Sequence, residues 1–559
     1  MTRIRPAAWL VASVALFLLA VAGYALLVHA SPQYYWKQID TAVYRDGGIA
    51  GRNQPAMLYA LGLGSTKLPF TYTPFAALLF AAGSGASFVT WQVALAVLTI
   101  GLLPVVAYLS LGLAGRPAGL ARAAGAFAIA AVGLWLEPVA MTLFFGQINL
   151  VLLALVVGDL ALPDRITGKG IGIGLAAGIK LTPLIFIPYL LFTQRAKAAA
   201  VSALAFAVTV GRGFALLPRA AAIYWGGQFF RSGKQFHLDN QSLNGAILRL
   251  THGGPDSHEY WLVAAVVVGI AGLATSILAS RRGHELLGLV ACAATGLLVS
   301  PVSWSHHYVY VVPALVLAAY GPRRLGYRIL GAALLVGLFG WWPVPIGSQG
   351  GYDPKAQLLP RGLLLLAPNR GNYGAVEFTW RGLELIVGNY YVLTLLVFIA
   401  ATAGALVLTR RIRPERAQSV LRARWRDMMP PSSVSPKART ASHMARPARH
   451  SCTRWPFHSA RGSSANDQDD PGRLRLGPDP AAGKHDGLRH PGSRAVLRVA
   501  SGHPGHPGPR LDTDNWRPGR ASADPGPGRS PAPAAGQRHV RARVRRQPPQ
   551  AGGAAAAGG

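Results

Sequence analysis

The chain has 559 residues, 51% of them hydrophobic and 14% charged, with a formal net charge of +33. Apolar runs at 8–29, 86–112 and 388–409 exclude an ordinary soluble protein, because a membrane-spanning helix needs roughly 20 such residues. The positive charge lies in short clusters between apolar segments and in a polar C-terminal stretch. Topology explains that pattern without a nucleic-acid partner.

The first apolar run is longer than the core of a typical signal peptide and reads as a retained helix with its N-terminus inside. Positive residues mark inner loops, and that rule can be followed along the chain. Helix 8–29 leads outward, so the stretch from Gln38 to Asp46 is outside. Residues 74–83 are too short to cross and form a half-helix or a surface helix. Helix 86–112 returns to Arg116 and Arg122, helix 120–136 leads out to Glu137-Pro138, and helix 148–162 returns to Asp164-Arg165 and Lys169.

The segment 170–193 has positive residues at both ends. At its centre is Lys180-Leu181-Thr182-Pro183, a charge beside a helix breaker. A broken, re-entrant hairpin with both ends inside satisfies both features, since irregular backbone at membrane depth belongs in a protein-lined cavity. Helices 198–217, 261–280, 285–300, 308–320, 326–342 and 388–409 then complete about ten crossings. Two long outer loops, 218–260 and 343–387, separate them. The fold class is therefore all-α, a polytopic membrane bundle.

From Met428 the composition turns to Pro, Arg, Gly, Ala, Ser and His. Such a segment buries too little apolar surface to offset its chain entropy. Two domains are expected: a membrane-embedded 1–427, and a disordered 428–559 on the cytoplasmic side. The texture of the tail fits a basic segment near anionic lipid. It also fits an out-of-frame reading of GC-rich DNA.

The polar candidates fall on the outer face, as expected of one cavity open outward. Asp40 sits where the first helix leaves the membrane, and that position marks it as a catalytic base rather than a solvated loop carboxylate. Asp46 reads as a neighbour paired with local Arg. Gln147 and Asn149 open an apolar helix, either as an ordinary helix start or as amides for sugar hydroxyls. Lys180 lies mid-segment, too far from either end to snorkel, and a phosphate would be its partner. Asn240 and Gln241 lie in a long loop with four basic residues, Arg219, Arg231, Lys234 and Arg249. His306 and His307 end an outer helix beside Trp304. Adjacent histidines on a helix point apart, which disfavours a metal. One histidine bonding a phosphate oxygen is the better reading, with Trp304 either stacking on sugar or joining the interfacial belt. Cys292 in an apolar run and Cys452 in the tail imply no disulfide framework or zinc site. No P-loop, Rossmann glycine pattern or HExxH motif is present.

Taken in order, Asp40-x-x-Val43-Tyr44, Phe70-Thr71-Tyr72-Thr73-Pro74, Gly146-Gln147-Ile148-Asn149, Gly178-Ile179-Lys180-Leu181-Thr182-Pro183, Asn240-Gln241-Ser242 and Ser303-Trp304-Ser305-His306-His307 resemble glycosyltransferase family 87. That family comprises the polyprenol-phosphate-mannose-dependent α-(1→2)-mannosyltransferases of actinobacteria. The resemblance covers residues 1 to about 410 and leaves out the tail. It implies a GT-C-like helical bundle in the cell membrane with its active site extracytoplasmic. It also implies a polyprenyl-phosphate-mannose donor, a glycan or glycolipid acceptor, and no cofactor or metal. Asp40 carries over as the base. Gln147, Lys180 and His306 or His307 match family motifs and carry over as substrate contacts.

One carboxylate suits this chemistry. A glycosidase must protonate an alkoxide and so needs two carboxyls. A polyprenyl phosphate leaves as a stabilised anion and needs no acid, so one carboxylate serving as base suffices. Two other readings stay open at this stage: a transporter or flippase of lipid-linked sugars, or the same fold transferring arabinofuranose or glucose. Transporters often carry repeated halves, and none are visible here.

Overall fold

The computed structural model describes residues 6–59, 62, 64, 66–228, 235–322, 324–347, 351–369 and 376–408. The expected tail, Arg231 and Lys234 lie outside these. Helix α1 (Pro6–Ala30) leads through the short α2 (Pro32–Tyr35) into α3 (Ile39–Asn53). There follow α4 (Pro74–Gly83), α5 (Phe88–Leu113), α6 (Leu120–Leu134), α7 (Glu137–Phe145), α8 (Asn149–Ala161), α9 (Ile171–Ile179) and α10 (Phe186–Phe192). Next come α11 (Ala196–Leu216), α12 (Pro218–Trp225), α13 (Leu243–Leu250), α14 (Ser257–Arg281), α15 (Glu285–Val299) and α16 (Val311–Tyr320). The described chain ends with α17 (Leu325–Phe339), α18 (Leu383–Gly388) and α19 (Tyr390–Leu408). Strands β1 (Pro343–Pro345) and β2 (Leu358–Pro360) form a small antiparallel ribbon with Val344 opposite Leu359.

Among the described residues five helices, α1, α5, α11, α14 and α19, are long and apolar enough to cross a membrane. Large apolar side chains on their outward faces stay exposed, as Leu16 and Leu19 on α1 and Val266 and Ile270 on α14 do. That surface suits lipid, where hydrocarbon replaces water around the helices. The protein is an all-α polytopic membrane protein.

The packing fixes the direction of each helix. Phe17 meets Phe127, and Gly23 lies against Trp135, so α1 and α6 run alongside in the same sense. Gly112 of α5 lies against Arg122, which makes α5 and α6 antiparallel. Gly272 faces Thr295, and Gly288 faces Ser276, which does the same for α14 and α15. One end of the bundle therefore gathers Arg116, Arg122, Asp164, Lys169, Arg195 and Arg281. Asp40, Glu137, Gln147, Lys180 and His306 gather at the other.

The expected broken hairpin is present. Gly170, Gly174 and Gly178 pack against Ala198, Ser202 and Thr209, so α9 rises parallel to α11. The helix stops at Lys180, whose backbone is extended (φ −143°, ψ 131°). A 3-10 turn at Thr182–Ile185 then leads into α10, which returns to Arg195. The two ends meet: Asp164 Oδ1 is 2.7 Å from Lys169 Nζ and 3.3 Å from Arg195 Nε. Arg195 Nη2 also donates to Glu285 Oε2 at 2.8 Å. Both carboxylate oxygens of Asp159 act at the other side of the turn, accepting from Gly170 N at 2.6 Å and Ile173 N at 2.8 Å. They thereby cap α9.

Three expectations need revision. The stretch around Asp40 is a helix, α3, not an open loop. It packs on α4 through Gly48, where an added Cβ would sit 2.6 Å from the Phe80 carbonyl carbon. Glu137-Pro138 opens the separate helix α7 rather than ending a span, because Pro is tolerated in a first helical turn. The two long loops are folded rather than merely polar. Fully buried Arg249 organises the first by donating to Asn389 Oδ1 (2.6 Å) and to the carbonyls of His237 and Asn240 (each 3.0 Å).

Candidate active site

Gln38 bolts the start of α3 to the end of α7. Its backbone N–H donates to Phe144 O (2.8 Å) and its side-chain amide to Leu143 O (2.5 Å). Gly146 has φ +72°, and a Cβ there would fall 1.9 Å from Thr41 Oγ1. Only glycine permits this close crossing. The crossing sets Gln147 against Asp40 in the first turn of α3: Gln147 Nε2 donates to Asp40 Oδ2 at 2.7 Å. The Gln147 carbonyl oxygen accepts from Tyr44 at 2.7 Å and from Tyr72 at 2.9 Å. Asp40 Oδ1 has no hydrogen-bond partner among the described residues. Removal from water pushes the Asp40 carboxyl up to about 6, against the Gln147 bond and the charge of Lys180, which pull it down.

Tyr72 and Thr73 join this cluster to the hairpin tip. Thr73 Oγ1 caps α4 by accepting from Ala76 N (3.1 Å) and donates to Gly178 O at 2.5 Å. Lys180 Nζ lies 5.6 Å from the centre of the Tyr72 ring. It is 2.8 Å from His307 Nε2 and 3.3 Å from Asn149 Oδ1. Burial pulls the Lys180 amine down to about 7 against the charge of Asp40; in its ammonium form it donates, so His307 Nε2 accepts and the imidazole proton sits on Nδ1. That Nδ1 is buried and has no hydrogen-bond partner.

His306 is buried, and neither of its ring nitrogens is bonded. Burial and the Lys180 charge hold both histidines well below their usual range. Buried polar atoms are normally paired. Here three ring nitrogens stand open beside a cation, an arrangement suited to an anionic ligand. The two rings lie close together, with centroids 4.9 Å apart, rather than pointing apart as on an α-helix. Residues Ser305–Tyr310, which carry them, form a 3-10 turn.

The other candidates have different places. Asn149 donates to His306 O at 2.8 Å and so positions the histidine turn. The Asn240 amide is spent on backbone: Oδ1 accepts from Ser303 N (2.9 Å), and Nδ2 donates to Gln235 O (2.7 Å) and Pro301 O (3.3 Å). Gln241 Nε2 donates to Leu238 O and Gly388 O, while its buried Oε1 is unbonded. These two amides brace the loop that carries Ser303 to His307. Replacing Asn240 with Ala removes buried bonds worth about 1 kcal/mol each and leaves their partners unpaired. We expect a lower melting temperature in detergent and an unchanged donor KM.

Asp46 does not pair with local Arg. Among the described residues it makes no ion pair. Its Oδ2 is buried without a partner against Gly64, and Arg45 Nε donates to Ala86 O instead (3.1 Å).

Two further residues carry the site, Glu137, which the sequence places on the outer face without a role, and Arg361, which it does not single out. Glu137, only 3% exposed, accepts from Ser305 Oγ at 2.8 Å and from Tyr391 at 2.5 Å, fixing the histidine turn from behind. Burial pushes its carboxyl up to about 7 against those two bonds. Arg361 donates to Tyr34 O at 2.6 Å and stacks 4.3 Å from the centre of the Phe144 ring. Glu137 was visible as a lone carboxylate between apolar helices. Arg361 had no signal, because nothing in its loop shows where the strand pair carries it.

Residues 70–301 match the sequence profile of glycosyltransferase family 87. A polyprenol-phosphate-mannose-dependent alpha-(1-2)-phosphatidylinositol mannoside mannosyltransferase of Mycobacterium tuberculosis is 35% identical over 305 residues. The match covers 51% of this chain and 70% of that relative. The chain belongs to glycosyltransferase family 87. The Mycolicibacterium smegmatis protein of the same name is 34% identical over 342 residues, 55% of this chain and 76% of its own. An M. tuberculosis phosphatidylinositol pentamannoside mannosyltransferase is 35% identical over 317 residues, 53% of this chain and 70% of its own. No solved structure matches. The protein is thus a membrane glycosyltransferase. The family 87 profile spans Tyr72, Gln147, Asn149, Lys180, Asn240 and Gln241, while Asp40 and the histidines lie outside it.

Proposed function

We propose that the chain transfers mannose from polyprenyl-phosphate-mannose to a hydroxyl of a phosphatidylinositol mannoside or related glycolipid, making an α-(1→2) linkage with inversion. The observation that carries this reading is the convergence of one carboxylate with an unbonded oxygen, Asp40, on Lys180 and the open ring nitrogens of the neutral His306 and His307. The names of the family 87 relatives supply donor and acceptor.

Asp40 Oδ1 takes the proton of the acceptor hydroxyl as its oxygen attacks the anomeric carbon. The bond from that carbon to the phosphate oxygen breaks on the opposite face. The polyprenyl phosphate leaves as an anion, stabilised by the Lys180 ammonium and the open histidine N–H groups. No acid is needed, which is why one carboxylate suffices. Arg116, Arg122, Lys169, Arg195 and Arg281 gather at the far end of the bundle. The positive-inside tendency favours a cytoplasmic location for that end and so supports a site on the extracytoplasmic side of the cell membrane.

Membranes carrying the full chain, supplied with labelled polyprenyl-phosphate-mannose and a phosphatidylinositol mannoside, should form a lengthened glycolipid. Movement of the donor across the bilayer without transfer would instead identify a flippase. Because the base must be ionised, kcat/KM should rise with pH through a midpoint near the Asp40 value of about 6, and because burial pulls Lys180 down to about 7 it should fall again as that lysine loses its proton. A rate unchanged from pH 5 to 8 would remove Asp40 from the role.

A further inference from the structure

We propose that Tyr44 and Tyr72 form a positioning pair that reads the carbonyl oxygen of Gln147 and so fixes which end of that amide faces Asp40. The inference rests on the reading of Asp40 as the base.

Three atoms close a nearly equilateral triangle: the two tyrosine hydroxyl oxygens are 2.8 Å apart, and they lie 2.7 Å and 2.9 Å from the Gln147 carbonyl oxygen. Tyr44 is fully buried and Tyr72 nearly so. Two hydroxyl protons are available, and a carbonyl oxygen has two lone pairs. Both protons are then satisfied by Gln147. Turn the amide over and the count fails. The cluster would hold two N–H protons and two O–H protons with only the two hydroxyl oxygens to accept them. A buried donor would be left without a partner, which is costly.

The tyrosines therefore select the carbonyl, and the Gln147 N–H is delivered to Asp40 Oδ2. That bond occupies one carboxylate oxygen and leaves Oδ1 as the proton acceptor. Without the hydroxyls the amide is free to turn, and its oxygen would then oppose the carboxylate. The ionised form of Asp40 would lose a donor and gain a repelling dipole. The other charge facing Asp40 is Lys180 at the hairpin tip, itself bonded to His307. The test leaves both in place.

The experiment uses the full chain in membranes with polyprenyl-phosphate-mannose and a phosphatidylinositol mannoside. The Tyr44→Phe/Tyr72→Phe double variant should lower kcat on the order of tenfold. It should also move the acid limb of kcat/KM upward by about one pH unit, with donor KM unchanged. Each single variant keeps one donor and should shift less. Gln147→Leu, which removes the donor without adding the opposed dipole, should shift the limb in the same direction by less, and tyrosine changes made in that background should add nothing. Should the double variant fail to accumulate, the single variants in the Gln147→Leu background decide. An unmoved acid limb, or losses that add in that background, would reduce the pair to packing and overturn the proposal. Asp40→Asn separates the two claims. If it still transfers mannose, the base assignment fails. If it is inactive while the limb stays unmoved in the double variant, only the tyrosine pair fails.

Discussion

Asp40→Asn is expected to abolish measurable transfer, a loss of about 10²- to 10⁴-fold for removal of a general base, while the protein stays folded and binds donor. The asparagine oxygen can still accept the Gln147 N–H that now goes to Oδ2 at 2.7 Å, so the local hydrogen bonding survives. What disappears is the capacity to hold a proton. Stability should move the other way. The Asp40 carboxyl is raised by burial from 3.8 to about 6, so the folded state binds its proton more tightly than the unfolded state does. Such a group favours folding below its unfolded value. That contribution is lost as pH rises from about 4 to about 6. At neutral pH the ionised carboxylate therefore opposes folding, and the neutral asparagine should leave the melting temperature equal or higher. Inactivity together with retained stability and donor binding would be the signature of a base. Near-normal turnover by this variant would remove Asp40 from the chemistry. A fall in stability that matched the fall in activity would mark it as structural.

The sequence showed the bundle because lipid imposes a length and a polarity on every spanning segment. Lys180 beside Pro183 also made the hairpin legible, since a charge and a breaker together cannot sit in an ordinary span. Register between distant segments was beyond reach. Gln147 read as a sugar-binding amide, yet its three polar contacts go to Asp40, Tyr44 and Tyr72, the tyrosines 103 and 75 residues away. Asn240 and Gln241 looked equally like contacts. The Asn240 amide is taken up by backbone groups of a folded loop and the Gln241 Nε2 by two backbone carbonyls, which no local pattern reveals. The tyrosines of the Tyr44 and Tyr72 motifs were visible only as parts of a pattern. Their chemistry depends on α3 and the start of α4 meeting behind the same glutamine.

Replacing Lys180 with Met should be the second most damaging change. Removing one group that stabilises developing negative charge costs on the order of 10²- to 10³-fold in kcat, and Lys180 is the one ammonium at this site among the described residues. Methionine keeps the length and apolar stem, so the hairpin tip should still pack beneath Tyr72 and Thr73. The effect should fall on the departing phosphate and on two neighbours. His307 would lose the donor 2.8 Å from its Nε2 and be freed to change tautomer. Asp40 would lose the positive charge that now favours its ionised form, so the acid limb of kcat/KM should move to higher pH. The direction of that shift matches the one expected for the tyrosine pair, but the accompanying signature differs. Lys180→Met should also weaken donor binding, because it removes the charge opposite the phosphate, whereas the tyrosine variants should not. A donor analogue lacking the phosphate charge would then discriminate poorly between wild type and the Lys180 variant. If Lys180→Met keeps both donor KM and kcat, the lysine does no more than hold the hairpin, and the anion must be bound by the histidines alone.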